Sequence, residues 1–172
     1  YYATGQPIIV SVSGQVRPIA APGIYLNLSV SPDGRYLLSE RSERPFSYVV
    51  PVDNFARRIE VLDLQGKLVR QIAKLSLVEG LPTGNDAVPT GVRDIAWRVD
   101  APATLVWAEA QDGGDPARAS KIRDAVLMQA APFARAPVTL AQLGGRFDGI
   151  SGAGAIWPFS ARAGGRPVAP NS

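Results

Sequence analysis

The sequence predicts an all-β fold. Three observations carry this. Short apolar runs alternate with turn residues, the same strand–turn–strand unit recurs along the chain, and no segment sustains helical periodicity.

The elements follow in order. Residues 7–12 and 15–19 flank Ser13-Gly14 and read as a hairpin. Leu28-Ser29-Val30 runs through Ser31-Pro32-Asp33-Gly34 into residues 35–39, and proline second with glycine fourth fits a type I turn. Residues 59–64 and 67–72 flank Gln65-Gly66, a second hairpin of the same build. Residues 94–98 and 103–108, joined by 99–102, repeat the strand–turn–strand. Residues 124–129 and 137–140 form a third hairpin with a longer, proline-containing connection, and residues 146–150 begin a further strand. Residues 119–127 have partial helical spacing, but no cap supports a helix. Gly5, Gly14, Gly34 and Gly66 read as turn glycines.

The order is therefore a hairpin, then a strand–turn–strand with its hairpin, twice, then one more strand. The strands starting at Ile59 and Asp124 lie 65 residues apart. Repeated groups of four short antiparallel strands predict a partial β-propeller, about two full blades plus flanking strands. Inserts at 40–56 and 73–92 and a connection at 109–123 stretch the spacing beyond a minimal blade. A β-sandwich also strings short strands between regular turns; the internal repetition favours the propeller. The expected propeller domain is residues 1–150, followed by an atypical tail at 151–172.

Composition narrows the function. The chain has 172 residues, 46% hydrophobic and 19% charged, ordinary for one domain with a core. It opens at Tyr1-Tyr2 without an initiator Met and reads as a piece of something longer. No charged-then-apolar signal segment opens it, and no run of eighteen apolar residues predicts a membrane partner. Cysteine is absent, which removes disulfides, thiolate catalysis and cysteine metal sites. Histidine is absent too, and with it the usual general base at neutral pH. The net charge is +3, but Arg162 and Arg166 stand in an acid-free tail and leave 16 basic against 15 acidic residues before it. Arg41, Arg44, Arg57 and Arg58 are interleaved with Glu40, Glu43 and Glu60, which is mixed-charge surface rather than the one-signed stripe of a nucleic-acid partner. No G-x-x-x-x-G-K and no strand-bound G-x-G-x-x-G occurs, so no nucleotide or other cofactor is expected.

Three stretches could carry chemistry. Gly149-Ile150-Ser151-Gly152-Ala153 stands one methyl from the G-x-S-x-G nucleophile elbow. An elbow needs a following helix and a triad needs a base, yet Gly152, Gly154 and Pro158 follow and the chain has no histidine. No catalytic residue is therefore assigned. Residues 109–116, Glu-Ala-Gln-Asp-Gly-Gly-Asp-Pro, offer three carboxylates, but not at the alternating spacing of a calcium loop; a polar turn with Asx hydrogen bonds is the expectation, and no metal. Residues 42–51, Ser-Glu-Arg-Pro-Phe-Ser-Tyr-Val-Val-Pro, form an insert rich in apolar and aromatic side chains. It packs either on its own blade or on something outside it. In the second case Arg44, Phe46 and Tyr48 are the candidates for a substrate-channel or domain contact, with the Arg44 guanidinium suited to a carboxylate.

At these residues the chain resembles a known family. Residues 31–72, with S-P-D-G, R-P-F-S-Y and the second hairpin, and residues 91–116, with W-x-E-A-x-D-G-G-D, look like the propeller region of prolyl oligopeptidase family serine peptidases, in the glutamyl endopeptidase-like branch. The resemblance covers about residues 1–150. It implies a non-catalytic propeller that gates peptide substrates into an α/β-hydrolase domain carrying the triad. This chain does not contain that domain and should be inactive alone. The alternative is a stand-alone propeller scaffold that binds other proteins.

After R-F-D-G-I-S, relatives of this type continue with a pattern like W-G-x-G-D-L-A-L-L-S-E-x-W-W-K. This chain instead runs into Gly-, Ala- and Pro-rich sequence. Codons for residues 156–166, shifted by one base, permit D-L-A-L-L-S-A-R-W-W-K. The expectation is that residues from about 152 onward are a frameshifted translation, disordered in the product. The coding DNA decides it: an alternate frame without that strand contradicts the expectation.

Overall fold

The computed structural model describes residues 4–82, 84–150 and 159–161, with Ile150 and the last three by backbone alone. Among the described residues there are twelve strands, one 3-10 turn at Val52–Asn54 and no α-helix. The all-β expectation holds, in the four-stranded antiparallel sheets of a partial propeller. The chain divides into two compact units, Tyr1–Leu77 and Val78–Ser172.

The first unit contains the hairpin β1 (Ile8–Val10) and β2 (Val16–Pro18), and a meander of β3 (Ile24–Val30), β4 (Tyr36–Ser42), β5 (Arg57–Asp63) and β6 (Leu68–Leu75) in that spatial order. One turn device recurs three times: Gly14, Gly34 and Gly66 each donate their N–H to the carbonyl of the residue three before, Ser11, Ser31 and Asp63, at 2.8–2.9 Å. In each, the side chain of that first residue also accepts a backbone N–H. Ser11 Oγ takes Gln15, Ser31 Oγ takes Tyr36, and Asp63 Oδ1 takes both Gln65 and Lys67. Short polar side chains that bond their own turn are what the sequence pattern anticipates. Gly66 has φ +85° and a Cβ there would collide with the Ile19 carbonyl, so only glycine fits. Gly5 is a correction: it sits in an antiparallel bridge with Gly23, not in a turn.

Alternation sorts the meander into two faces. Leu38, Ile59 and Val61 are almost wholly buried on one. On the other, Leu37 and Leu62 form a cluster with Ile19, against which Ile9 and Leu64 pack.

The second unit holds β7 (Arg93–Trp97), β8 (Thr104–Ala110), β9 (Asp124–Ala130) and β10 (Val138–Leu143), also a meander in chain order. The pair β11 (Phe147–Ile150) and β12 (Phe159–Ala161) follows. Residues 104–108 of β8 are buried on both faces, so β8 reads as a continuous apolar run rather than an alternation. Val106, Ala108, Val126, Leu143 and Phe147 form one cluster. Trp97 and Phe133 meet with ring centroids 6.2 Å apart. The partial helical spacing at 119–127 gives way to β9, which pairs with β8 along its whole length and with β10 from Asp124 to Met128.

The strands run longer than the apolar runs suggest, so the inserts shrink to 43–56, 76–92 and 111–123. Polar residues extend the ladders: Ser42 pairs with both Ile24 and Arg57. Register fixes where the connections lie. Ile24, Ser42, Arg57 and Leu75 share one end of the first meander, so residues 43–56 emerge there. Residues 111–123 emerge from the corresponding end of the second, where Ala110 pairs with Asp124 and Asp124 with Leu143.

Candidate functional site

The connection 43–56 carries the three predicted site residues. Its base is a ladder of ion pairs across β4 and β5: Arg57–Glu40 at 3.0 Å, Arg58–Glu43 at 2.7 Å and Arg58–Glu60 at 3.7 Å. Arg41 adds a longer contact to Glu43 at 3.5 Å. Glu43 thus answers two guanidinium groups. Arg44, next in the chain, has no carboxylate partner among the described residues; its guanidinium carbon lies 5.4 Å from the centroid of the Phe46 ring. Phe46 in turn leans on Phe55, with centroids 6.1 Å apart and planes at 31°.

Arg44 and Phe46 line a cleft of about 490 Å³ together with Thr4, Gly23, Arg41 and Ser42. The Ser42 hydroxyl is buried without a hydrogen-bond partner among the described residues. Tyr48 is not in the cleft. It stands fully exposed on the outer part of the connection beside Val49, also exposed. The structure therefore brings two of the three predicted residues together and leaves the third outside. Thr4 and Gly23 join from 20 or more residues away, a proximity that no local pattern announces.

The connection 111–123 is built differently. Asp112 is wholly buried, and both its carboxylate oxygens accept from Arg146 at 2.8 Å. Arg123 adds a bond at 3.1 Å and the Gly114 N–H another at 3.0 Å. Asp124, also wholly buried, accepts from Arg146 at 3.0 Å, from Arg93 at 2.6 Å and from the Phe147 N–H at 2.7 Å. Arg146 reaches one step further, to the Asp86 carbonyl at 2.8 Å. Burial alone would raise the Asp112 carboxyl. The hydrogen bonds and charge of Arg146, with the Gly114 N–H, outweigh that and hold it below the usual carboxylate value. Burial would lower Arg146, and the two aspartates hold it above its ordinary value.

The three carboxylates of residues 109–116 do not converge on a cation. Asp112 serves arginines, Asp115 accepts the Ala117 N–H at 2.9 Å, and Glu109 accepts the Trp107 indole N–H at 2.8 Å. The Asx hydrogen bonds expected of this turn are present. Arg146, which organises the network, opens the R-F-D-G-I-S stretch, but that stretch announces no ion pair, and its carboxylate partners are 22 and 34 residues away. Ser151, the elbow-like serine, lies outside the described residues, as does the rest of the tail apart from the β12 backbone.

No family model and no solved structure matches the chain. Over 153 residues, 88% of its length, it is 42% identical to a protein of Arabidopsis thaliana named "Probable glutamyl endopeptidase, chloroplastic". The chain is similar to part of a peptidase. A rice relative of the same name, from Oryza sativa subsp. japonica, is 39% identical over 153 residues. In both cases the chain spans 16% of the relative's length.

Proposed function

We propose that this chain is a segment of the non-catalytic propeller domain of a prolyl oligopeptidase-like serine peptidase of the glutamyl endopeptidase-like branch. In that role it gates peptide substrates on their way to an α/β-hydrolase domain. Its partners are then the peptide substrate and the hydrolase domain, with no nucleic acid and no membrane. The observation that carries this is the connection 43–56. It presents a guanidinium without a carboxylate partner among the described residues, stacked on an exposed aromatic ring, in a chain similar to part of peptidases. An arginine held this way is arranged to meet a carboxylate from outside its own sheet. With no histidine, the chain supplies no Ser-His-Asp triad of its own.

The test is a segment exchange. This chain replaces the matching stretch of the Arabidopsis relative, and peptide hydrolysis is measured for the chimera and for the 172-residue chain alone. The reading expects an active chimera and an inactive isolated chain. A chimera that folds but has lost hydrolysis, or an isolated chain that hydrolyses peptides, contradicts it. An isolated chain that instead captures intact proteins favours the stand-alone scaffold.

A further inference from the structure

Residues 131–137 join β9 to β10, and their shape is fixed from inside. Phe133 turns its ring into the core, where it is 1% exposed and meets Trp97. Its backbone sits at φ +63°, a left-handed conformation that phenylalanine rarely adopts unless its surroundings hold it. Hydrogen bonds hold it on both sides. The Phe133 N–H donates to the Ala130 carbonyl at 3.0 Å, and the Phe133 carbonyl accepts from Gln129 Nε2 at 3.3 Å. Gln129 Nε2 also donates to the Arg135 carbonyl at 2.6 Å. With the large ring turned inward, mostly small side chains are left outside. A cleft of about 500 Å³ opens there among Met128, Gln129, Pro132, Ala134, Arg135 and Val138.

Two polar groups of this cleft are unspent. Gln129 is 4% exposed. Both its side-chain hydrogen bonds run to carbonyl oxygens, so the nitrogen serves the connection and Oε1 is the atom left over. No described residue donates to Oε1. The described side-chain atoms sealed from solvent without a partner belong to Ser42, Arg58 and Arg93, and Oε1 is not one of them. It therefore meets the solvent of the cleft that Gln129 lines. Arg135 is exposed and has no carboxylate partner among the described residues.

We infer that this cleft binds the free C-terminal end of a peptide whose last residue is apolar. Each lining group states one requirement. Oε1 can only accept, so the ligand brings an N–H. The Arg135 guanidinium calls for a carboxylate, which it can take through two parallel bonds. Met128, Pro132, Ala134 and Val138 call for an apolar side chain between the two. The last residue of a peptide carries amide N–H, side chain and carboxylate on a single Cα. An internal aspartate or glutamate spends its side chain on the carboxylate and brings nothing apolar. A free amino acid would set an ammonium against Oε1, and no acid lines the cleft to balance it; a neutral amide N–H costs less to bury. The volume suits one residue and the peptide unit before it. The site lies wholly in the second unit and uses none of residues 43–56, so it goes beyond the function proposed above.

The probe is N-acetyl-alanyl-leucine, titrated into the isotope-labelled 172-residue chain beside its C-terminal amide and free leucine. The Gln129 carboxamide resonances should shift with the acid. The amide and leucine should each bind about tenfold more weakly, the scale of one charge-assisted contact. Arg135→Gln, at an exposed position, should erase the preference for the acid over the amide. Ala134→Trp fills the cleft and should abolish binding of the acid. Both variants should keep the far-ultraviolet spectrum of the unaltered chain. Equal binding of acid and amide, leucine binding as tightly as the acid, acid binding that survives Ala134→Trp, or no shift at millimolar probe overturns the inference. None of these outcomes bears on the segment exchange, so failure here is distinguishable from failure of the propeller reading.

Discussion

Residues 43–56 and 111–123 occupy the same place in their two meanders, between second and third strands, and they solve opposite problems. The second connection turns inward. It buries Asp112 completely and answers its charge with Arg146, Arg123 and a backbone N–H. The first turns outward. Its Glu43 is taken at the base by Arg41 and Arg58, Arg57 is taken by Glu40 of β4, and Arg44 stands over Phe46. The sequence already sets them apart, an apolar and aromatic insert against a polar, acidic turn, but both carry arginine and acid. What separates them is whether each charge finds its opposite inside the fold. A buried aspartate is tolerated only when paired, so the inward loop is structural by necessity. An exposed arginine over a ring has no structural necessity and is the place to look for function.

The comparison breaks most visibly at Asp112. Asp112→Ala should cost about 3–5 kcal/mol in urea unfolding, because it leaves Arg146 buried beside a single remaining aspartate. A loss below about 1 kcal/mol would make the inward loop as dispensable as an exposed one. Gly114→Ala comes next. Gly114 has φ +77° and a Cβ there would strike the Val88 carbonyl, so a loss of roughly 1–3 kcal/mol is expected by the same measurement.

Acid sharpens the contrast. Asp112 titrates below its unfolded value, so its contribution is fully present above that value and is lost as pH falls through the lower folded value. Stability should therefore hold from neutral pH to about 5 and fall below about pH 4. The fall should be smaller when Asp112 and Arg146 are replaced together by apolar residues, because Asp33, also held low by Ser31 and Arg35, still contributes. The smallest effects belong to the outward loop. Phe46→Ala gives up the Phe55 contact and should cost roughly 1 kcal/mol. Tyr48→Ala, at a fully exposed position, should leave the unfolding midpoint unchanged.

Much of this fold was legible because its signals are local. The Ser-x-x-Gly and Asp-x-x-Gly turns close within a few residues, and the strand alternation needs no knowledge of the partner. Strand ends were read short because polar residues such as Glu40 and Ser42 continue a ladder once their neighbours are in place. Gly5 was misread as a turn glycine because a glycine bridging to Gly23 looks the same in one dimension. Of the candidate site, Arg44 and Phe46 were legible as a pair two residues apart. Tyr48 shares their segment but not their cleft, since direction off a loop is not encoded in spacing. The network around Arg146 was invisible. Its partners come from Asp86, Asp112 and Asp124, and only the folded sheet gathers them.

The outward character of residues 43–56 is tested most directly in the segment-exchange chimera with Arg44→Ala. Peptide hydrolysis is measured as KM and kcat beside the thermal midpoint of the same preparation. The account predicts that KM for a peptide rises at least fivefold while the midpoint stays where it was. An unchanged KM, or a KM change that tracks a lowered midpoint, would contradict it.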